Sequence, residues 1–364
     1  MANLEDLPLR ADLVGQKPYG APQLSVPVSL NVNENTHRIP EAVALDIIER
    51  LSHAILNINR YPDREFWSLR EALAQYLGHS LQPENIWAAN GSNEVLQQIF
   101  QAFGGPDRKA LSFVPTYSMY PLIAQGTGTD WIGVPRSENF ELTTQLVSEA
   151  IRLHRPDIIL ICSPNNPTGT PVDLSVIEAA YTAMEANGNG VLVIDEAYAE
   201  FSHQLGASAL GLLEGRPKLM ISRTMSKAFA FAGARLGYLA ADSAVVDALR
   251  LVRLPYHLSA LTQAAAEGAL AHSAEMLATV ADIKYQRDRI LDGLIALGLK
   301  VYRSDANFVL FGGLDDPEQV WQKLLDEGIL IRNVGLPGTL RVTAGTEAET
   351  TAFLAALERI LTDN

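Results

Sequence analysis

Between residues 29 and 253, short apolar runs alternate with helical patterns, and that alternation confines the chain to a narrow set of folds. The runs cover 85–89, 109–114, 130–134, 157–162, 190–194, 218–222 and 236–240. Helices inserted between strands can cover both faces of a sheet, which predicts an α/β fold with a mostly parallel seven-stranded sheet between helices. In such sheets ligands bind beyond the carboxyl ends of the strands. Residues 1–28 lack period and contain Pro8, Pro18, Pro22 and Pro27, so they read as an extended arm lying on a partner subunit. Residues 29–255 read as a large domain and 256–364 as a smaller α+β domain. The latter comprises an Ala- and Leu-rich helical stretch over 261–297, a strand at 307–311, a helix near 318–327, strands at 330–332 and 339–343, and a helix from 348.

A chain of 364 residues exceeds the usual single-core size, in keeping with two units. Its net charge of −14 argues against nucleic acid as a partner, because phosphate backbones select basic faces. An anionic substrate would need a few local arginines working against that field. Cys162 is the single cysteine, so no intrachain disulfide can form and a reducing cytoplasm is expected. The first ten residues carry Glu5, Asp6 and Arg10 without an apolar segment, which is not a signal peptide. No apolar run approaches the ~18 residues that span a bilayer, so no membrane partner is expected. The histidines show no metal-ligand spacing, and no metal is assigned.

The polar motifs fall just after the predicted strands. Ser222-Arg223-Thr224-Met225-Ser226-Lys227 follows one of them, and Arg235 stands eight residues beyond the lysine. A lysine in that setting can join an aldehyde cofactor, while Thr224, Ser226 and the Arg235 guanidinium hold its phosphate. Gly91-Ser92-Asn93-Glu94 opens a helix directly after a strand, where free N–H groups and the helix dipole add to a phosphate cup. Asp195, after Val191-Leu192-Val193-Ile194, suits a protonated pyridine nitrogen; Tyr198 and Asn166 suit a neighbouring phenolate oxygen. Tyr117, after another strand, can lie flat against a ring. The full set fits pyridoxal 5'-phosphate, with Lys227, Asp195 and Tyr198 as the catalytic candidates.

The order and spacing of these motifs resemble the fold-type I pyridoxal phosphate enzymes and, over essentially the full length, the histidinol-phosphate aminotransferase family. The matching segments are Lys17-Pro18-Tyr19-Gly20, Leu30-Asn31-Val32-Asn33-Glu34-Asn35, Asn59-Arg60-Tyr61-Pro62-Asp63, Asn165-Asn166-Pro167-Thr168-Gly169, Asp195-Glu196-Ala197-Tyr198 and Arg223 to Lys227. Ser304 to Phe308, Gly328 to Arg332 and Leu340 to Thr343 match as well. The resemblance implies a homodimeric transaminase acting on L-histidinol phosphate with 2-oxoglutarate as acceptor, releasing L-glutamate. An aromatic amino acid aminotransferase on the same scaffold is the alternative. It also implies roles for single residues. Tyr61 reaches across the dimer to the cofactor phosphate or substrate of the other subunit. Arg341 binds the substrate phosphate with help from Arg332 and Tyr19, and Tyr256 and Asn307 line the pocket beside Asn166. The segment between Arg332 and Arg341 is shorter than the glycine-rich loop common in this family.

Overall fold

The computed structural model describes residues 3–18, 20–204 and 207–362. Seven strands form the main sheet: β1 (Ile86–Ala89), β2 (Lys109–Val114), β3 (Asp130–Pro135), β4 (Ile158–Cys162), β5 (Val191–Asp195), β6 (Leu219–Thr224) and β7 (Gly237–Ala241). Their order across the sheet is β1-β7-β6-β5-β4-β2-β3. All neighbours are parallel except β7, which runs against both β6 and β1. Strands β4 to β7 are buried along their whole length, as runs such as Ile-Ile-Leu-Ile-Cys require when helices cover both faces. Strand β3 lies at the edge and is only partly covered.

The helix Ser92–Phe103 buries Val95, Leu96, Ile99 and Phe100, an apolar stripe at helical spacing that joins the core of the sheet. A second sheet, β8 (Lys300–Val301), β9 (Phe308–Gly312) and β10 (Thr339–Thr343), is antiparallel, with β9 in the middle. It packs with the helices Val280–Ala296 and Glu347–Thr362 in a second core. Val28–Ser29, at the end of the arm, pairs in parallel with Ile329–Leu330.

Two features depart from the sequence expectation. The stretch 261–297 is three helices, Ala260–Ala271, Ser273–Leu277 and Val280–Ala296. The first break falls at His272, whose ring bonds Asp46 at 3.2 Å and whose backbone leaves helical geometry. The second difference concerns core membership. Leu258, Ala265, Ala266, Ala269, Leu270 and Met276 pack in the core of the main sheet, and Leu30 packs in the second. Tyr198, Phe201 and Ala228 likewise pack in the second core, so the two cores exchange residues near the site. Among the described residues no helix is long and apolar enough to cross a membrane.

The start of β7 abuts the helix start after β1. A Cβ built on Gly237 would collide with the backbone of Gly91 and Ser92, so this close approach requires glycine. Gly237→Ala is expected to lower the unfolding free energy by about 1–3 kcal/mol, measured by urea denaturation; an unchanged midpoint would contradict the packing.

Candidate active site

A cavity of about 590 Å³ opens beyond the carboxyl ends of the parallel strands. One wall is built from residues whose strands have just ended: Ser92 and Asn93 after β1, Tyr117 after β2, Asn166 after β4 and Lys227 after β6, with Asp195 closing β5. Because β7 runs in the opposite sense, its amino end lies at this same edge. Arg235, two residues before it, lines the cavity too.

Arg235 stands in the left-handed region (φ 59°) and donates through Nη1 to the Ala232 carbonyl (3.2 Å). Its guanidinium lies against Gly91, itself at φ 84°, where an added Cβ would strike Nη2. Gly91 caps the helix Ser92–Phe103 without a side chain, so no side chain caps the helix start, and its first two residues, Ser92 and Asn93, line the cavity. Thr224 Oγ1 donates to the Ser226 hydroxyl (3.0 Å), and the Ser226 amide donates back to Thr224 (3.1 Å). Tyr117 donates to Asn93 Oδ1 (3.1 Å), tying the two loops together.

Asp195 is buried. One carboxylate oxygen, Oδ2, accepts from the Tyr120 hydroxyl (2.7 Å), while Oδ1 has no hydrogen-bond partner among the described residues. Burial pushes its carboxyl up to about 6 against the pull of Tyr120. Lys227 Nζ donates to the Val32 carbonyl (3.0 Å). Burial first, then the guanidinium of Arg341, with a smaller push from Arg235, bring this amine down to about 8 despite Glu34. Arg341 donates to Asn166 Oδ1 (2.6 Å) and to the Asn31 carbonyl (2.9 Å), over the Phe308 ring. Arg332 pairs with it backbone to backbone at 2.9 Å in both directions.

Some residues stand elsewhere than the sequence implies. Glu94 is not among the lining residues; its carboxylate accepts from the Asn90 amide and side chain and from Gln98, bracing the turn. Asn307 is fully buried and donates to the Asn33 carbonyl (3.1 Å) rather than lining the cavity, because the interior must satisfy that carbonyl. Tyr61 and Tyr256 stack on one another, centroids 4.4 Å apart, outside this chain's cavity; Tyr61 is 79% exposed. Tyr19 lies outside the described residues. Sequence reasoning also missed three contributors. Tyr120 orients Asp195 from a helix position that reads as core. Asn33, at φ 58°, donates to the Tyr198 hydroxyl (3.0 Å) and meets Thr343. The carbonyls of Asn31 and Val32 hold Arg341 and Lys227. The quoted 30–35 segment was the available signal.

The cavity offers a deprotonatable amine, a buried carboxylate oxygen in want of an N–H donor, and a guanidinium over an uncapped helix start. Those are the complements of an aldehyde, a protonated ring nitrogen and a phosphate, so the donor set fits pyridoxal phosphate. Tyr198 and Asn166, bonded to each other at 3.4 Å, present polar atoms beside Asp195's strand end.

Residues 25–357 match the family described as aminotransferase class I and II. Curated relatives include the histidinol-phosphate aminotransferase of Paenarthrobacter aurescens, 60% identical over 99% of this chain and 97% of its own. That of Thermobifida fusca is 54% identical over 98% and 96%. Among solved structures, the histidinol-phosphate aminotransferase of Sinorhizobium meliloti in complex with pyridoxal-5'-phosphate superposes with a TM-score of 0.83 at 25% identity, covering 93% of this chain and 92% of that one. A Thermus thermophilus aspartate aminotransferase mutant gives 0.81 at 25% identity, over 97% and 99%.

An amine lowered to about 8 gains its reactive neutral form as pH rises through that value. Trapping of Lys227 by a small aldehyde and a borohydride, read by peptide mass spectrometry on cofactor-free protein, should rise through pH 8 and level off. Surface lysines should still be climbing near pH ~10.4; a Lys227 profile that follows theirs would refute the electrostatic account.

Proposed function

The chain belongs to the class I and II aminotransferases, a pyridoxal-phosphate-dependent transaminase, and we propose that it transfers the amino group of L-histidinol phosphate to 2-oxoglutarate. The products are imidazole acetol phosphate and L-glutamate, in histidine biosynthesis. The observation that carries this reading is two separate arginine sites in one cavity, Arg235 against Gly91 and Arg341 between Asn31 and Asn166. One suits a cofactor phosphate and the other a substrate oxyanion.

Bound pyridoxal phosphate supplies an aldehyde for amines and a ring that delocalises the electron pair left when the substrate's α-proton departs. Lys227 would hold that aldehyde and, once the substrate amine has taken its place, move the proton between carbon atoms; a pKa near 8 suits both tasks. Asp195 would accept the ring N–H at its open Oδ1, with Tyr120 keeping the carboxylate oriented and charged. Tyr198 and Asn166 would donate to the ring oxygen, and Tyr117 would cover the ring face. Ser92, Asn93, Thr224, Ser226 and Arg235 would hold the phosphate. Arg341, helped by Arg332, would bind the phosphate of one substrate and the carboxylate of the other, since one guanidinium fork accepts either.

The protein acts, in this reading, as a cytoplasmic homodimer. Exposed Ile55, Leu56 and Ile58 next to Tyr61, and Leu251 and Leu254 next to Tyr256, support a second copy packed on these two segments. Tyr61 would then serve the partner subunit's site. A single buried cysteine accords with a reducing compartment.

Single-turnover absorbance of the cofactor-loaded protein tests the substrate. L-histidinol phosphate should bleach the cofactor band rapidly at low concentration and L-phenylalanine only sluggishly, with inorganic phosphate competing against the former. Equal or faster reaction of phenylalanine would make the enzyme an aromatic aminotransferase. Lys227→Ala should abolish turnover with the circular dichroism spectrum unchanged; substantial remaining transamination would sink the assignment.

A further inference from the structure

Away from the cavity, one carboxylate stands among four guanidinium groups. Glu65 Oε1 accepts from Arg64 Nε (3.1 Å) and Arg253 Nη2 (2.5 Å). Its Oε2 accepts from Arg250 Nε (3.0 Å) and lies 3.6 Å from Arg70 Nη2. Arg70 is fully buried, and among the described residues none of its guanidinium nitrogens has a hydrogen-bond partner. It rests instead on the rings of Phe66, Trp67 and Trp87, at 4.8, 5.0 and 5.3 Å. Asp247 reaches Arg250 alone (2.6 Å), at the rim. Arg253 also donates to the Arg64 carbonyl and covers Trp87. In a chain of net charge −14, this is a local concentration of positive charge centred on Glu65, with Asp247 on Arg250 and Asp63 near Arg70.

The two segments that Glu65 joins carry the exposed aromatic pair. Tyr61 lies four residues before Glu65, Tyr256 three residues after Arg253, and their rings stack at 4.4 Å with planes 14° apart. Gln263 ties the same place by donating to the Asp63 carbonyl (3.1 Å). We infer that Glu65 is a positioning residue, the counter-ion that fixes the Tyr61–Tyr256 pair in the orientation needed by the partner subunit's active site. The inference rests on the reading that Tyr61 acts in trans. A rival route runs within the subunit: Asn90 donates to the His257 carbonyl (2.8 Å), so disturbance near Tyr256 could reach the chain's own Gly91 turn.

Hybrid dimers separate the two routes. Differently tagged chains, co-expressed and purified through both tags, give dimers with a single working site when one chain carries Lys227→Ala. In the first hybrid, Glu65→Gln sits on the chain that keeps Lys227, so the working site receives its Tyr61 from an unaltered segment. In the second, Glu65→Gln and Lys227→Ala share a chain, so the working site receives Tyr61 from the altered segment. Both dimers contain the same substitutions, and general destabilisation depresses them equally. The expected result is kcat/KM near the Lys227→Ala/wild-type reference for the first hybrid and about tenfold lower for the second. Equal activities, or a loss confined to the first hybrid, would overturn the inference. Tyr61→Phe placed in the same two arrangements checks the premise: a loss in the second alone upholds action in trans, and a loss in the first alone refutes that reading itself. If Glu65→Gln does not assemble, Arg250→Gln, which removes a partly exposed member of the cluster, is read the same way.

Discussion

One close backbone approach underlies the site. Strand β7 enters the sheet against the direction of its neighbours, and Gly237, lacking a side chain, lets it lie directly on the Gly91–Ser92 turn. That approach brings Arg235 to the same edge as the ends of the parallel strands, over a second glycine that could bear no side chain without displacing the guanidinium. A helix start, an arginine and two hydroxyls converge because three strands of different sequence position end or begin at one line.

The rest of the cavity is arranged by charge. Lys227, Arg235 and Arg341 are kept near one another, and Glu34 only partly offsets them. Burial first, and then the like charges, lower the amine's affinity for its proton, while burial raises that of Asp195. The two shifts push the groups toward one another in pH, so each can exchange or hold a proton near neutrality. The shift of Lys227 depends on several segments at once, with Arg341 from the second sheet, Arg235 from the edge of the first and Glu34 acting on the same amine.

Much of this was legible in the sequence, and the reason is local. Aliphatic strands such as Val191-Leu192-Val193-Ile194 are continuous because both faces are buried, and this one runs directly into Asp195, which lines the cavity. The illegible parts share a different origin. Tyr120 sits at a buried helical position, where an aromatic needs no functional explanation. Asn307 is polar for the sake of Asn33, a partner 274 positions away. Tyr61 and Tyr256 face outward, so nothing in their own chain fixes what they meet. The break at His272 depends on Asp46, 226 positions away, which no helical period reports.

The unmet oxygen of Asp195 and the crowded cations around Lys227 also bear on how the protein persists in a cell. A folded chain with its cofactor gains RT ln(1 + [L]/Kd) over one without it, whereas the unfolded chain gains nothing. Cofactor binding therefore favours the folded chain, and fewer molecules stand open to proteases when cofactor is abundant.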